Sequence, residues 1–275
     1  MSSGPGSHGY YTLPGYPTQL FYSEQSPDLM DANDIWYHRK MPRWEIAFTT
    51  ELVEPRDVTG KVCVVIDVLR ASTTIVVALS HGCPEIIPVE TPQEARDIAR
   101  ARRCLLGGER NGLRMEGFDF GNSPLEYASQ KINGRPIAFT TTNGTRAIRA
   151  CASSRMLVLA SFLNGGRIIR LLEHLDGDTL IVCAGTRGEP SLEDTVCGGM
   201  LLDGLHATGT PEVEEAVSLW NLHKNDLAGM MKNASVHGRS LMTLGFEKDM
   251  DFAAGVNTLD IIPVFESGSI VRKSS

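Results

Sequence analysis

From residue 44 onward the chain alternates short apolar runs with amphipathic stretches. WEIAFT (44–49) opens the pattern as a strand, and KVCVVID (61–67) is a near-continuous β-branched run. Such a run marks a central strand buried on both faces. STTIVVALSHG (72–82) is apolar at helical spacing and stops at Gly82, a residue type that suits a helix end. EIIPV (85–89) reads as a short strand. Residues 91–103 predict a helix with a strong start: Thr91 as N-cap, Pro92 in the first position and Glu94 completing a capping box. Further strands are expected at 104–108, 135–140, 156–161, 179–185 and 260–265. Helices are expected at about 123–130, 144–151, 164–175, 191–206 and 213–230, and over 234–254 with a break near Gly245.

This alternation predicts a three-layer α/β/α fold around a mixed, largely parallel sheet, built as one domain over residues 43–275 or as two intimately joined lobes. Residues 1–42 are rich in Gly, Pro, Ser and Tyr and carry no periodicity, so they read as a flexible or loosely docked extension. Its aromatic end (Trp36, Tyr37, with Trp44 beyond) suits docking on the body or on a partner chain.

Composition narrows the function classes. A formal net charge of −7 argues against nonspecific nucleic-acid binding, which needs an excess of Lys and Arg. There is no apolar run of membrane-spanning length and no secretory leader pattern, so no membrane partner is expected. Six cysteines lie at 63, 83, 104, 151, 183 and 197 without CxxC or zinc spacing, several inside apolar runs. They read as buried thiols of a reducing, cytoplasmic protein. Small-metabolite enzymes of this size are often symmetric dimers, so a homodimer fits.

Ligands of α/β sheets bind outside the carboxyl ends of the strands. Five predicted strand exits share one composition: DVLRASTT (67–74), GGERNG (107–112), TTTNGTR (140–146), SFLNGGR (161–167) and GTRGEPSLED (185–194). Each carries hydroxyls, Asn or Gly together with one arginine, and three carry carboxylates. Taken singly, each is a turn or a helix cap. Gathered at one edge of a sheet they form a donor-rich cationic pocket for a dianion such as phosphate. Asp67, Glu109, Glu193 and Asp194 would repel that anion, unless Mg²⁺ sits between carboxylates and phosphate oxygens. Asp67 ends the most buried strand, where an unpaired carboxylate is costly. P-loop, GxGxxG, HExxH and GxSxG motifs are absent, and Val68-Leu69 brings no second Asp after Asp67.

VVIDVLRASTTIV, LLGGERNG, GFDFGNSPLEY, TTTNGTRA, ASFLN and CAGTRGEPSLEDT, in this order, resemble the 2-phosphosulfolactate phosphatase (ComB) family. The similarity extends through GRSLMTLGFEKDMDFAAGVNTLDIIPVF and covers about residues 44–266. It implies a Mg²⁺-dependent phosphomonoester hydrolase that converts 2-phospho-3-sulfolactate to 3-sulfolactate. In methanogens that step belongs to coenzyme M biosynthesis; members also occur in bacteria that make no methane. The strand exits then suggest roles. Asp67, Glu109 and one of Glu193 or Asp194 hold Mg²⁺. Thr140, Thr141, Thr142, Asn143, Gly144 and Thr145 face the phosphate. Arg70 or Arg146 stabilises the transferring phosphoryl group, and Arg110 and Arg187 hold sulfonate and carboxylate. Ser72, Thr73, Asn122, Ser123, Ser161, Asn164 and Thr186 complete the substrate-facing set. Attack by water and a covalent aspartyl phosphate on Asp67 both fit these residues. The alternatives are a phosphatase for another small polyanionic phosphoester and a non-catalytic phosphate- or sulfonate-binding protein.

Overall fold

In the computed structural model residues 42–273 are described, and all of them fall in one compact unit. The expected N-terminal extension, with Trp36 and Tyr37, lies outside the described residues up to position 41. The strands are β1 (Trp44–Ala47), β2 (Val62–Ile66), β3 (Ile86–Pro88), β4 (Leu105–Arg110), β5 (Leu113–Arg114), β6 (Ile137–Thr140), β7 (Met156–Ala160), β8 (Thr179–Cys183), β9 (Pro263–Glu266) and β10 (Ser269–Arg272). The longer helices are α1 (Ala71–Ser80), α2 (Pro92–Arg102), α3 (Gly144–Ala150), α4 (Gly165–Glu173), α5 (Leu192–Gly204), α6 (Pro211–His223), α7 (Val236–Thr243) and α8 (Glu247–Ala253).

The fold is three-layered because the central strands bury both faces. Along β2, Val62, Val64 and Ile66 join one core with Val196, Cys197, Met200 and Leu201 of α5. The alternate residues Cys63 and Val65 join a second core with Ile75 and Val76 of α1 and Ile148 of α3. This is the two-residue side-chain period of a strand, applied to a sheet covered twice.

The sheet is mixed and mostly parallel, in the order β1-β8-β2-β7-β9-β10-β3-β6-β4-β5. Two parallel blocks, β1-β8-β2-β7 and β3-β6-β4, flank the C-terminal hairpin β9–β10. The joins β7–β9, β9–β10 and β10–β3 are all antiparallel, so the two blocks run in opposite senses. The predicted exits therefore do not lie along one common edge. A sheet twisting by roughly 20° per pair is far from flat, and its blocks can bring their exits together at a corner. Two strands escaped the periodicity. β5 is two residues long, and β10 pairs back on β9 after a tight turn.

The helix expected over 213–230 stops at His223, and Asp226 caps a separate turn by accepting from the Gly229 N–H at 2.8 Å. The break near Gly245 is present, with φ at +87° between α7 and α8. Thr91, Pro92 and Glu94 form the predicted capping box on α2. Among the described residues no helix is long and apolar enough to cross a membrane. The six cysteines are free thiols, five of them buried. Burial pushes the Cys183 and Cys197 thiols well up, which leaves neither suited to nucleophilic work.

Candidate active site

Four of the five predicted exits line one cavity of about 440 Å³. β2 contributes Asp67, Leu69 and Arg70. β4 contributes Glu109, and the turn after it contributes Asn111 and Gly112. Thr142 and Asn143 follow β6, and Thr186, Arg187, Glu189 and Ser191 follow β8. The β7 exit does not take part. Ser161 and Asn164 cap each other there, and the Asn164 amide donates to the carbonyls of Leu159 and Ile261. Chain returning toward β9 covers this exit, through backbone bonds from Asn257 and Leu259 to Phe162 and Leu163.

Asp67 is 6% exposed, and its Oδ1 accepts the Ala71 N–H at 3.1 Å. Its Oδ2 has no hydrogen-bond partner among the described residues and sits against the start of α3. A Cβ on Gly144 would fall 2.5 Å from that oxygen and 2.4 Å from the Ala71 Cβ. Gly144 is thus glycine for space. Two of the chain's Asn-Gly pairs contribute to the cavity lining, and they behave differently. Asn111 and Gly112 both take positive φ and close the β4–β5 hairpin as a type I′ turn. Asn143 is the N-cap of α3 instead, at φ −113°.

Burial pushes the Asp67 carboxyl up to about 7, against an opposing N–H bond from Ala71; the neighbouring Glu109 and Glu193 push it further the same way. Asp194 is also raised well above the carboxylate range, by burial first and then by Asp67 and Glu193. Its two oxygens accept the Val68 N–H at 2.8 Å and the Gly185 N–H at 3.2 Å, so it ties the exits of β2 and β8 together. Glu109 ties two loops in the same way, accepting from the N–H groups of Gly112 and Thr142, each at 2.7 Å. Glu193 is 1% exposed, and its Oε2 is a buried acceptor without a donor. Asn122 lines the cavity at 5% exposure, and its Oδ1 is the other such atom among the described residues.

Most of the predicted hydroxyls serve the loops themselves. Thr141 and Thr145 bond reciprocally, side chain to backbone. Thr140 donates to the Glu90 carbonyl and accepts from Arg110. Ser72 and Thr73 donate to the carbonyls of Asp67 and Val68, and Thr186 pairs with Ser191. In the 140–146 loop only Thr142 and Asn143 line the cavity.

The arginines divide likewise. Arg70 is buried, bonded to Asp249 at 2.9 Å and the Gly112 carbonyl at 2.6 Å, and stacked on Phe246 at 4.1 Å. Ser123 donates to the other Asp249 oxygen at 2.6 Å. Arg110 is occupied by the Glu109 and Glu90 carbonyls and Thr140, outside the cavity. Arg146 is exposed, paired with Glu51 at 3.2 Å, and also outside it. The sequence places Arg146 beside Thr142 and Asn143, but the helical turn of α3 carries it out of the lining. Arg187 alone of the five lines the cavity with no ion-pair or hydrogen-bond partner among the described residues. A type I′ turn holds it, with Arg187 at φ +55° and Gly188 at +84° between the bridged residues Thr186 and Glu189.

Further lining comes from a segment that the strand-exit reading left out: Ala234, Ser235, Val236, His237, Ser240, Leu241 and Leu244. A π-helical turn (Met230–Ala234) leads into it, a feature frequent at functional sites. The Ser235 Oγ then accepts the Gly238 N–H at 2.8 Å and starts α7. The signal was legible in Ser235, a helix cap, and in the only histidine of that stretch.

A family model described as 2-phosphosulpholactate phosphatase matches residues 47–268. The protein named probable 2-phosphosulfolactate phosphatase in Symbiobacterium thermophilum is 44% identical over 223 residues, covering 78% of this chain and 95% of that one. One of the same name in Caldanaerobacter subterraneus is 39% identical over 233 residues, covering 82% and 96%. Another, in Clostridium acetobutylicum, is 34% identical over 236 residues, covering 82% and 99%.

Proposed function

The chain belongs to the 2-phosphosulpholactate phosphatase family, and from that premise we propose that it hydrolyses 2-phospho-3-sulfolactate to 3-sulfolactate and phosphate with Mg²⁺. One juxtaposition supports this reading above all: the carboxyl of Asp67 and the unpaired Arg187 line the same cavity. A purely anion-binding pocket has no use for the first, and a purely cation-binding pocket has none for the second.

The residues present fit a hard divalent cation. The donor set is all oxygen, Glu109 and Glu193 push the Asp67 carboxyl up, and Asp67 Oδ2 and Glu193 Oε2 have no donor among the described residues. Asp67, which lines the cavity, would hold the ion, with the donorless Oε2 of Glu193 as a further candidate oxygen. Glu109 and Asp194 each have both oxygens on backbone N–H groups and act as ties between loops. Among the described residues no group of three or more Asp, Glu, His or Cys side chains is placed to hold a metal ion. Mg²⁺ needs none, because it keeps waters and takes substrate oxygens. When bound, the ion neutralises part of the phosphoryl charge and polarises its P–O bonds.

The chain's own residues then orient the substrate. The first turn of α3, with Thr142 and Asn143, meets the phosphoryl oxygens, and Arg187 takes one of the two remaining anions as a paired donor. Replacing Arg187 by Ala is expected to raise KM about tenfold or more, the scale of a lost hydrogen bond to a charged group. Arg146→Ala is expected to stay within about threefold, as for an exposed ion pair. Steady-state kinetics on both variants checks the division; equal losses would overturn it.

Phosphate release from racemic 2-phosphosulfolactate, with Mg²⁺ and with excess EDTA, tests the proposal itself. Release that EDTA abolishes and Mg²⁺ restores is the expected result. Folded protein that releases none refutes the substrate assignment. The apolar wall of Leu69, Val236, Leu241 and Leu244 supports a second reading, a phosphoester with an apolar portion. A panel of phosphoesters ranks the two.

A further inference from the structure

Hydrolysis of an alkyl phosphoester must do more than bring a nucleophile to phosphorus. The P–O bond to the substrate breaks, its electron pair stays on the ester oxygen, and that oxygen becomes an alkoxide unless a proton reaches it. In an in-line displacement the attacking and leaving oxygens lie on opposite sides of phosphorus. With attack from the strand-exit side, where Asp67 stands, the ester oxygen would leave away from Asp67, and the lining outside the strand exits is mostly Ala234–Leu244.

That wall offers four apolar side chains, two serines and His237, which is half-buried on the first turn of α7. The Ser235 Oγ accepts the Gly238 N–H, and serine hydroxyls are too weakly acidic to supply a proton. The charged side chains lining the cavity are Asp67, Arg70, Glu109, Arg187 and Glu189. Asp67 stands on the attacking side, and Glu109 holds two loop N–H groups. Glu189 is exposed on the Arg187 turn. Histidine is the side chain most often used for proton transfer in catalysis.

We infer that His237 is the general acid of the reaction, giving a ring N–H proton to the ester oxygen as the P–O bond breaks. The water that supplies the new oxygen on phosphorus returns a proton to the ring before the next turnover. The inference rests on the phosphatase reading but not on the sulfolactate assignment.

The test compares two leaving groups in the same protein. An aryl phosphate such as p-nitrophenyl phosphate leaves as a stable phenolate and needs no acid, whereas an alkyl phosphoester does. His237→Gln and His237→Asn are each assayed on 2-phosphosulfolactate and on the aryl ester. The ratio of the two rates is taken within each variant, so that partial unfolding cancels. The expected result is a loss of about 100-fold or more on the alkyl ester with less than about tenfold on the aryl ester. Glu189→Gln is expected to leave the ratio unchanged. Equal losses on both esters, or retained alkyl turnover, would overturn the assignment. A wild-type protein inactive on 2-phosphosulfolactate refutes the substrate alone; the ratio is then taken with whichever alkyl phosphoester it does hydrolyse. Activity on no alkyl ester would overturn the acid role as well.

Discussion

Asp67→Asn is expected to lower kcat by about 1000-fold or more and, above neutral pH, to raise the melting temperature. The two effects share one cause. Asp67 is held where its charge is opposed, buried and near Glu109 and Glu193, and its carboxyl is pushed up to about 7 from an ordinary value of 3.8. Between those values the folded chain holds a proton that the unfolded chain has released. The associated stability is complete below about 4 and is lost as pH rises through about 7. Asparagine keeps an acceptor for the Ala71 N–H and removes the charge, so the variant's stability should fall less steeply over that window. Asp194 is shifted in the same direction and keeps part of the slope in both proteins. Thermal melts from pH 4 to 8, with and without Mg²⁺, read this without any assay. Mg²⁺ should stabilise the wild type most at the alkaline end, by preferential binding to the folded state, and the variant much less. Turnover within about tenfold of wild type would remove Asp67 from the reaction and from the metal.

Arg70→Met is expected to destabilise the fold by about 3–5 kcal/mol, the usual result of leaving one charge of a buried pair uncompensated. The charge left behind is Asp249, itself 2% exposed. Adding Asp249→Asn removes that charge and keeps an acceptor for Ser123, so the double variant should recover most of the loss in chemical denaturation. Turnover should recover with it, because both terminal nitrogens of Arg70 are engaged inside the protein. A stable double variant without activity would return Arg70 to the transferring phosphoryl group, the role its sequence position suggests.

Local pattern made much of this molecule legible. β-branched runs marked the buried strands because a strand covered on both faces needs apolar side chains at every position, as β2 shows. Thr91, Pro92 and Glu94 announced α2 because caps satisfy their own neighbours. The strand exits were visible as Gly, Asn and hydroxyl clusters because the chain must turn there. Asp67 stood out as a carboxylate at the end of the most apolar strand. Each of these signals spans a few residues, and the physics behind each is equally local.

What the tertiary structure decided concerns segments far apart in the chain. The C-terminal hairpin enters the middle of the sheet and reverses the sense of one block against the other. No periodicity encodes a neighbour more than a hundred residues away. The five exit arginines look alike in sequence. Asp249 claims Arg70, Glu51 claims Arg146, and the Glu90 carbonyl claims Arg110, while a turn leaves Arg187 in the cavity. Segment 257–261 closes the β7 exit, and Ala234–Leu244 brings His237 to a cavity whose floor lies in the first 200 residues. The sequence alone marked the strand-exit groups and the strands that carry them, but not His237. Packing determined which of those groups are held by other parts of the protein and which remain open to a ligand, because a side chain's partners are set by contacts across the fold rather than by its neighbours along the chain.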